Sequence, residues 1–474
     1  MRKAGKALAR LAMAGVILGA GAAPAQEGGD VVTWQYDDGG IYEGTFRDGK
    51  QHGRGTYRLP NGYEYTGEWI DGRIEGEGIA RLVNGSVYEG QFLDGKPHGL
   101  GRITFADGGT YEGEWEDGKI TGTGVAVYAN SVRYEGEFRN AVHHGVGRME
   151  SPNGYVYDGT WINGAKEGKG RITYPGGRVY EGEMKGNRRE GKGTLTTPEG
   201  LVYSGAWKEG EMNGLGMLTQ PNGDIYEGLF VNGERHGTGK VTYANGDVYE
   251  GEYRADKRHG KGVFRGADGY LYEGDWVAGR IEGQGRLTYP DGSVYEGTFR
   301  EDLPEGSGKV IYADGATYEG TWKAGVIEGQ GRATFPNGLV YEGAFRDAAY
   351  HGQGRMTHDD GYTYEGQWQN GLRHGEGTAS YADGSVYSGG FLRGQREGQG
   401  TITMPDGFSY SGGWKDGKFH GQGVATYANG DVYEGTFAMG RYEGEGVMRY
   451  ADGETRSGTW RNGVLTTGPG AATE

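Results

Sequence analysis

Histidines occupy one recurring position of this chain, and histidine is a common ligand of zinc. Eight of the ten histidines are separated by multiples of 23 residues. A zinc site needs three or four ligands that converge at fixed distances, whereas Glu fills the same position elsewhere, as at Glu75, Glu167 and Glu282. A polar strand-edge position explains the pattern better than a metal site. We therefore expect no metal at His52, His98, His144, His236, His259, His351, His374 and His420.

Carboxylates and glycines recur with the same period and suggest two other kinds of chemistry. Thirteen Glu and one Asp stand at one position, where they would offer oxygen ligands to Ca²⁺. The strand pairing predicted below places eight of them opposite Lys or Arg, which favours a solvated charged surface. The G-x-G triplets belong to no G-x-x-x-x-G-K-[ST] loop, and neither G-x-S-x-G nor H-E-x-x-H occurs. We expect no catalytic residue and no cofactor, and a protein that is not an enzyme.

The element that must position these side chains is a repeat of 23 residues. Nineteen copies, the last one partial, cover residues 42–463 without an insertion or deletion. We number the repeat from its first residue, which is Tyr in eighteen copies. Position 3 is Gly in all nineteen copies, and position 5 is aromatic in eighteen. Positions 12 and 14 are Gly in all eighteen complete copies. Each copy has too little apolar surface to fold alone, so neighbouring copies must stack into an array.

Two turn signals divide each repeat into two strands. Positions 7 and 8, as in Asp48-Gly49, favour a two-residue hairpin loop. Positions 19 to 21, as in Pro60-Asn61-Gly62, favour a three-residue loop that ends in a left-handed Gly. The sequence therefore predicts an all-β protein, an elongated and twisted antiparallel meander of stacked β-hairpins.

The turn lengths also predict a strand register. Position 15 of one repeat should lie opposite position 2 of the next, ten residues later. Opposite charges and paired hydroxyls are favoured cross-strand partners. Eight basic residues at position 15 then face a carboxylate, and four Thr face a hydroxyl: Arg102–Glu112, Arg148–Asp158, Arg171–Glu181, Lys240–Glu250, Arg286–Glu296, Lys309–Glu319, Arg332–Glu342, Arg355–Glu365, Thr56–Thr66, Thr194–Ser204, Thr378–Ser388 and Thr401–Ser411.

The same register places positions 1 and 5 on one face, which we call the aromatic stripe. Each large ring covers a glycine, because position 5 faces Gly at position 12 and position 1 lies beside Gly at position 14. A single-layer sheet is expected to leave such a face partly exposed, and an exposed apolar face indicates a partner surface. We predict partner binding through Tyr65, Trp69, Tyr111, Trp115, Tyr157, Trp161, Tyr272, Trp276, Tyr318, Trp322, Tyr364 and Trp368.

The first 25 residues have a different composition. Four basic residues precede an apolar run that ends in Ala23-Pro24-Ala25, which predicts a secretory signal peptide cleaved between Ala25 and Gln26. An uncleaved anchor is the alternative, but the run is short for a bilayer span. The signal suggests bacterial export, to the periplasm first and to full secretion second. Residues 26–41 read as a half repeat with Trp34 and Tyr36, and residues 464–474 as a flexible tail.

Composition and charge limit the partners. With 102 Gly and 34% hydrophobic residues, the chain has little from which to build separate globular cores. Removal of the predicted signal peptide takes the net charge from −16 to −20. Such a chain repels phosphate backbones, so we expect no nucleic-acid binding. Binding to an anionic membrane is disfavoured too, since no basic stripe is evident.

The pattern Y-E-G-x-[WF]-x-x-G followed by x-x-x-G-x-G resembles the MORN (membrane occupation and recognition nexus) repeat over nearly all of the predicted mature chain. The resemblance implies stacked hairpins in an elongated, groove-like sheet. Members of that family include scaffolds, dimerising rods and appendages to enzymes. We expect a non-enzymatic scaffold of the bacterial cell envelope that binds a protein partner or a second copy of itself. Stacking of the aromatic rings on glycans, or binding of membrane lipid, is the alternative.

Overall fold

The computed structural model describes residues 29–468, and every regular element in that range is a β-strand. The predicted signal peptide and its cleavage site at Ala25 and Gln26 lie outside the described residues. The chain divides into two compact halves, Met1–Ala244 and Asn245–Glu474. No helix within residues 29–468 is long and apolar enough to cross a membrane.

Within each half the strands form an antiparallel meander in chain order. The strands of the N-terminal half are β1 Val32–Gln35, β2 Ile41–Arg47, β3 Lys50–Arg58, β4 Glu64–Ile70, β5 Arg73–Arg81, β6 Val87–Leu93, β7 Lys96–Thr104, β8 Thr110–Glu116, β9 Lys119–Val127, β10 Arg133–Arg139, β11 Val142–Glu150, β12 Val156–Ile162, β13 Ala165–Thr173, β14 Val179–Lys185, β15 Arg188–Thr196, β16 Val202–Lys208, β17 Glu211–Thr219, β18 Ile225–Val231 and β19 Glu234–Thr242. Those of the C-terminal half are β20 Val248–Arg254, β21 Lys257–Arg265, β22 Leu271–Val277, β23 Arg280–Thr288, β24 Val294–Arg300, β25 Leu303–Ile311, β26 Thr317–Lys323, β27 Val326–Thr334, β28 Val340–Arg346, β29 Ala349–Thr357, β30 Thr363–Gln369, β31 Leu372–Ser380, β32 Val386–Leu392, β33 Gln395–Thr403, β34 Ser409–Lys415, β35 Lys418–Thr426, β36 Val432–Ala438, β37 Arg441–Arg449, β38 Thr455–Arg461 and β39 Val464–Thr467.

Both predicted turns are confirmed. In the first hairpin Asp48 and Gly49 have φ of 52° and 72°, so both central residues are left-handed, as a two-residue hairpin loop requires. In the second turn Gly62 donates its N–H to the carbonyl of Leu59 at 3.1 Å and has φ of 91°. Because each turn fixes how its two strands align, these two loops set the register of the whole repeat.

The predicted register is also confirmed. Seven of the eight basic residues at position 15 lie directly opposite the expected carboxylate. The eighth pair, Lys240 and Glu250, consists of residues from different halves. Four of the seven form ion pairs, of 2.8 Å at Arg332–Glu342 and 3.5–3.7 Å at the others. All four hydroxyl pairs are hydrogen-bonded at 3.0–3.2 Å.

A β-bulge within each repeat was not predicted. In the first repeat Gly44 pairs with Gly55 and Phe46 pairs with Gln51, so one residue of β2 faces three residues of β3, those at positions 11 to 13. Gly53 at position 12 has φ of 76°, and the Gly at position 12 has positive φ in every complete repeat. Only glycine adopts this conformation without strain, which explains the constant residue. Two extra residues preserve the alternation of faces, so positions 10, 12, 14 and 16 share the aromatic face.

The ends of the array follow the same rules. Trp34 in β1 pairs with Tyr42, as the predicted half repeat requires. Residues 464–467, which the sequence assigned to a flexible tail, form β39 and pair with β38. The reason is that Leu465 occupies position 10 and lies opposite Trp460 at position 5, where it is buried.

Candidate functional site

The aromatic stripe is buried, so the predicted exposure of this face is wrong. Eleven of the twelve predicted contact residues expose 5% of their surface or less, and only Trp322 is partly accessible. The buried residues are Tyr65, Trp69, Tyr111, Trp115, Tyr157, Trp161, Tyr272, Trp276, Tyr318, Tyr364 and Trp368. They are core residues, and a partner cannot reach them without displacing what covers them.

Burial of the stripe follows from ring-to-ring contacts between repeats. Tyr65 meets Trp69 of its own repeat edge to face at 5.7 Å and Phe92 of the next repeat at 5.0 Å. The Tyr65 hydroxyl donates to the carbonyl of Glu68, and Trp69 Nε1 donates to the carbonyl of Gly55. Repetition of these contacts produces a nearly continuous row of interlocked rings, and edge-to-face pairs stabilise such packing beyond area burial alone.

Position 10 covers this row, and sequence reasoning missed it. We call these side chains the cap column. His143 stacks on Tyr134 at 3.7 Å, and Tyr350 stacks on Tyr341 at 3.9 Å. The sequence could have shown this, because alternate residues of one strand point to the same face and position 10 alternates with positions 12, 14 and 16. The cap column is Gln51, Ile74, Pro97, Ile120, His143, Lys166, Arg189, Met212, Arg235, Arg258, Ile281, Pro304, Ile327, Tyr350, Arg373, Arg396, Phe419, Tyr442 and Leu465.

Several polar members of the cap column bond to Tyr hydroxyls of the preceding repeat. His143 Nε2 lies 2.7 Å from the hydroxyl of Tyr128. Gln51, Lys166, Arg373, Arg396 and Tyr442 make corresponding bonds to Tyr36, Tyr155, Tyr362, Tyr381 and Tyr427. The tyrosines stand at position 18 or 22. The aromatic face therefore has two layers, an almost invariant row of rings and a variable layer of polar and apolar side chains over it.

Cations are grouped in this second layer, although the net charge of the chain is negative. Lys166 and Arg189 occupy the cap column in successive repeats of the N-terminal half. Lys166 Nζ lies 4.5 Å from the ring centre of Tyr155, and the Arg189 guanidinium lies 4.1 Å from that of Trp207. Rings stabilise such cations through the negative potential of their faces.

Lys166 is too deeply placed to contact a partner. It exposes 8% of its surface, and burial lowers its pKa to about 8. Arg189 is held by a hydrogen bond of 2.5 Å from Nη2 to the carbonyl of Gly210, and burial lowers its pKa as well. Lys166 is therefore built into the packing of the second layer, whereas Arg189 is half-buried.

Arg373 and Arg396 form a second pair of cations in successive repeats of the C-terminal half, and both are half-buried. A pocket of about 430 Å³ opens beside Arg373 and is walled by aromatic and apolar side chains. Its lining is Met356, Tyr362, Trp368, Gly371, Leu372, Arg373, Tyr381 and Gly394. An open apolar pocket with one fixed cation is suited to binding a ligand that carries a negative charge.

Position 11 behaves as the polar edge position that the sequence predicted. The carboxylates of Glu282, Glu305 and Glu328 accept the turn N–H at position 7 of the next repeat, at 2.7–3.2 Å. At His52 the acceptor is Nδ1, which lies 3.5 Å from the N–H of Asp71. Within residues 29–468, Nδ1 of His98, His144, His351 and His420 is buried without a hydrogen-bond partner, so the bond to the turn belongs to the Glu copies and not to His in general. Residues 29–468 contain no grouping of three or more side chains suited to a metal ion.

We expect the repeat around His143 to lose stability as the pH falls from about 6.5 to about 4. Burial lowers the pKa of His143 to about 4, so within this window the unfolded chain binds a proton that the folded chain does not. The loss should reach about 2–3 kcal/mol near pH 4. Hydrogen exchange of residues 134–150 at pH 7 and pH 5, corrected for intrinsic rates, measures it.

The control is His143→Tyr, because Tyr350 and Tyr442 occupy the equivalent position and stack on the position-1 Tyr of their own repeats. This variant should show no specific loss of protection at pH 5. Equal losses in the two proteins would show that His143 is not the cause.

Comparison with known proteins gives one strong match. The MORN repeat model matches eighteen consecutive segments between residues 42 and 455. No curated protein matches the chain.

Solved structures give only distant likenesses. The Drosophila melanogaster SAS-4 TCP domain, solved with a proline-rich motif of Ana2, is 18% identical with a TM-score of 0.22, over 33% of this chain and 85% of that one. The Danio rerio CPAP TCP10 domain, solved with a STIL peptide, is 13% identical with a TM-score of 0.13, over 70% and 97%. A streptogramin B lyase is 11% identical with a TM-score of 0.11, over 61% and 90%. TM-scores this low carry no functional argument.

Proposed function

This chain belongs to the MORN repeat family, and from that premise we propose that it is a non-enzymatic scaffold that binds a protein partner through its cap column. The observation that carries the proposal is the division of the aromatic face into two layers. The buried rings repeat with little change, whereas the cap column holds ten residue types. A surface that varies over a constant framework is suited to recognition.

The predicted contact residues change their role in this proposal. Tyr65, Trp69 and the other buried rings fix the backbone and orient the residues above them. The partner contacts the accessible members of the cap column and the neighbouring residues at positions 9, 18 and 22. Leu372 at position 9 illustrates such a contact, since it lines the pocket beside Arg373 and 49% of its surface is exposed.

The proposed location is the bacterial cell envelope, after export to the periplasm. Support comes from the basic and apolar composition of residues 1–25 and their Ala-Pro-Ala ending. The hairpins of residues 29–468 repeat the same few side chains, and an array of this kind is suited to a structural role in that compartment. Enzyme activity would need a set of residues found once in the fold.

Site-specific photo-crosslinking in cells that make the full chain tests the proposal. A photoreactive residue replaces Leu372, and in a matched variant it replaces Glu365, which is exposed on the opposite face of the same repeat. We expect a defined protein adduct, either another protein or a second copy of this chain, from position 372 and not from position 365. Equal labelling from both faces contradicts the proposal. Adducts only with glycan or lipid would support the alternative functions instead.

A further inference from the structure

We infer that Arg373 and Arg396 form a binding site for an acidic, extended segment of a protein partner, with one carboxylate on each guanidinium. The inference rests on the proposed function and names the chemistry of the partner. It starts from two half-buried cations on the aromatic face whose hydrogen bonds and ring contacts within residues 29–468 are all with neutral groups.

Arg373 is held in a fixed orientation. Its Nη1 donates to the hydroxyl of Tyr362 at 2.8 Å, and its Nη2 donates to the carbonyl of Gly394 at 2.7 Å. The guanidinium carbon lies 5.1 Å from the ring centre of Phe391. These contacts order the side chain before any ligand arrives, which reduces the entropic cost of binding.

Arg396 is fixed in a related way one repeat later. Its Nη2 donates to the hydroxyl of Tyr381 at 3.0 Å. The guanidinium carbon lies 5.0 Å from the ring centre of Trp414 and 5.1 Å from that of Tyr387. Tyr381 also lines the pocket beside Arg373, so one tyrosine borders both cations.

Both guanidinium groups keep binding capacity. A guanidinium has five N–H donors, of which Arg373 uses two and Arg396 uses one in the bonds above. Among residues 29–468 neither side chain is in an ion pair, unlike the exposed Arg58 and Arg332. A partly desolvated guanidinium without a counter-ion is a strong site for a carboxylate, which its planar fork binds through two parallel bonds.

The spacing of the two arginines indicates the form of the ligand. They occupy the same position of consecutive repeats and are separated by two strand spacings, about 10 Å. A chain in the polyproline II conformation presents every third residue on one side, at intervals of about 9 Å. An extended segment with acidic residues at i and i+3 therefore matches the two sites, and its backbone would lie along the tyrosine-lined edge.

Overall charge explains why the ligand is a narrow segment and not a broad anionic surface. The chain has a formal net charge of −16, and carboxylates such as Glu365 cover the opposite face. A membrane or a nucleic acid would meet this repulsion over a wide area. A single acidic segment brings only a few charges, each placed against a cation.

The test uses the purified full chain and a fluorescent twelve-residue peptide with Glu at every third position and Ala or Pro between. We expect saturable binding that weakens with added salt. Arg373→Gln with Arg396→Gln should weaken it at least about tenfold, because two charge-assisted bonds are lost. Gln is compatible with the cap column, as Gln51 bonds to Tyr36 in the first repeat.

Three controls make the test decisive. Arg58→Gln removes an arginine from the opposite face and should leave affinity unchanged. A peptide of the same composition with its Glu residues adjacent should bind several-fold more weakly. Hydrogen exchange of residues 364–403 must be the same in the double variant and the parent chain, and Lys in place of both arginines should restore part of the affinity.

Several outcomes would overturn the inference. One is equal affinity in the parent chain and the double variant. Another is absence of peptide binding together with arginine-dependent binding to phosphatidylserine vesicles, which would assign the cations to a lipid surface. If no acidic peptide binds but position 372 still crosslinks to a protein, the scaffold function stands and the acidic ligand is wrong. If no acidic peptide binds and position 372 crosslinks to no protein, the acidic ligand and the proposed function are both wrong.

Discussion

Replacement of Gly101 by Ala is expected to unfold the hairpin of β6 and β7 and to lower the local free energy of unfolding by about 3–5 kcal/mol. A Cβ atom at residue 101 would lie 2.2 Å from Oη and 2.5 Å from Cζ of Tyr88. Real Cβ atoms essentially never lie within 3.0 Å of an atom to which they are not bonded. The backbone of Gly101 has no positive φ, so the whole effect comes from the collision with the ring.

Tyr88 cannot move aside at low cost. It is fully buried, its hydroxyl donates to the carbonyl of Gln91 at 2.9 Å, and its ring meets Phe92 and Trp115 edge to face at 5.0 Å each. Displacement of the ring would break all three contacts and open a cavity between two repeats. Loss of a buried aromatic packing site accounts for the size of the expected effect.

Gly109→Ala in the same repeat is the matched control. The nearest atoms to a Cβ there are 3.2 and 3.3 Å away, and Ala316 fills the equivalent position of another repeat. Hydrogen exchange of residues 87–104 should be much faster in the Gly101 variant and nearly unchanged in the control. Similar exchange in both variants would show that the ring does not require Gly101.

The second large effect on stability is expected when a deletion does not remove a whole number of repeats. Removal of residues 320–365, two whole repeats, joins position 2 to position 3 and leaves the pattern intact. Removal of residues 320–364 leaves one extra Glu inside the new strand. Because side chains alternate with period two, the extra residue turns Trp368 from the buried face to solvent, or forces a bulge. Each displaced aromatic ring should cost about 3–5 kcal/mol.

Urea unfolding and hydrogen exchange of both shortened proteins measure this difference. The in-phase deletion should keep the protection of the flanking strands β25 and β31 near that of the parent chain, since stability depends on neighbouring repeats. The out-of-phase deletion should abolish protection around the junction although it removes one residue fewer. If both deletions behave alike, the register does not control the fold.

The turns and the register could be predicted because each depends on a few adjacent residues. Asp48-Gly49 permits two consecutive left-handed residues, and the length of the Pro60-Asn61-Gly62 loop aligns Thr56 with Thr66 without reference to the rest of the chain. The bulge could not be predicted in this way. A constant Gly at position 12 is explained equally well by an overlying ring or by a left-handed backbone, and only the coordinates separate the two.

Burial of the aromatic stripe was misjudged for a different reason. A flat sheet with one apolar face must expose it, and the sequence pattern relates each ring only to the glycine that it covers. In the structure Tyr65 contacts rings of two repeats, and position 10 covers the row. Tyr65 and Phe92 belong to different repeats, and His143 and Tyr350 reach rings across their own hairpins, so burial depends on how strands and repeats pack and not on the local pattern alone.

The separation of the cap column from the buried rings has a consequence for how such a protein evolves. Tyr, Gly and the position-5 rings determine the backbone, while Gln, Pro, His, Arg and Phe all occupy position 10 over the same conformation. On the proposed function, a mutation at position 10 alters recognition in one repeat at small cost to folding, and the other repeats keep their specificity. Natural selection would then act on many independent contact positions that share one stable backbone, and new ligands would be acquired stepwise along a single chain.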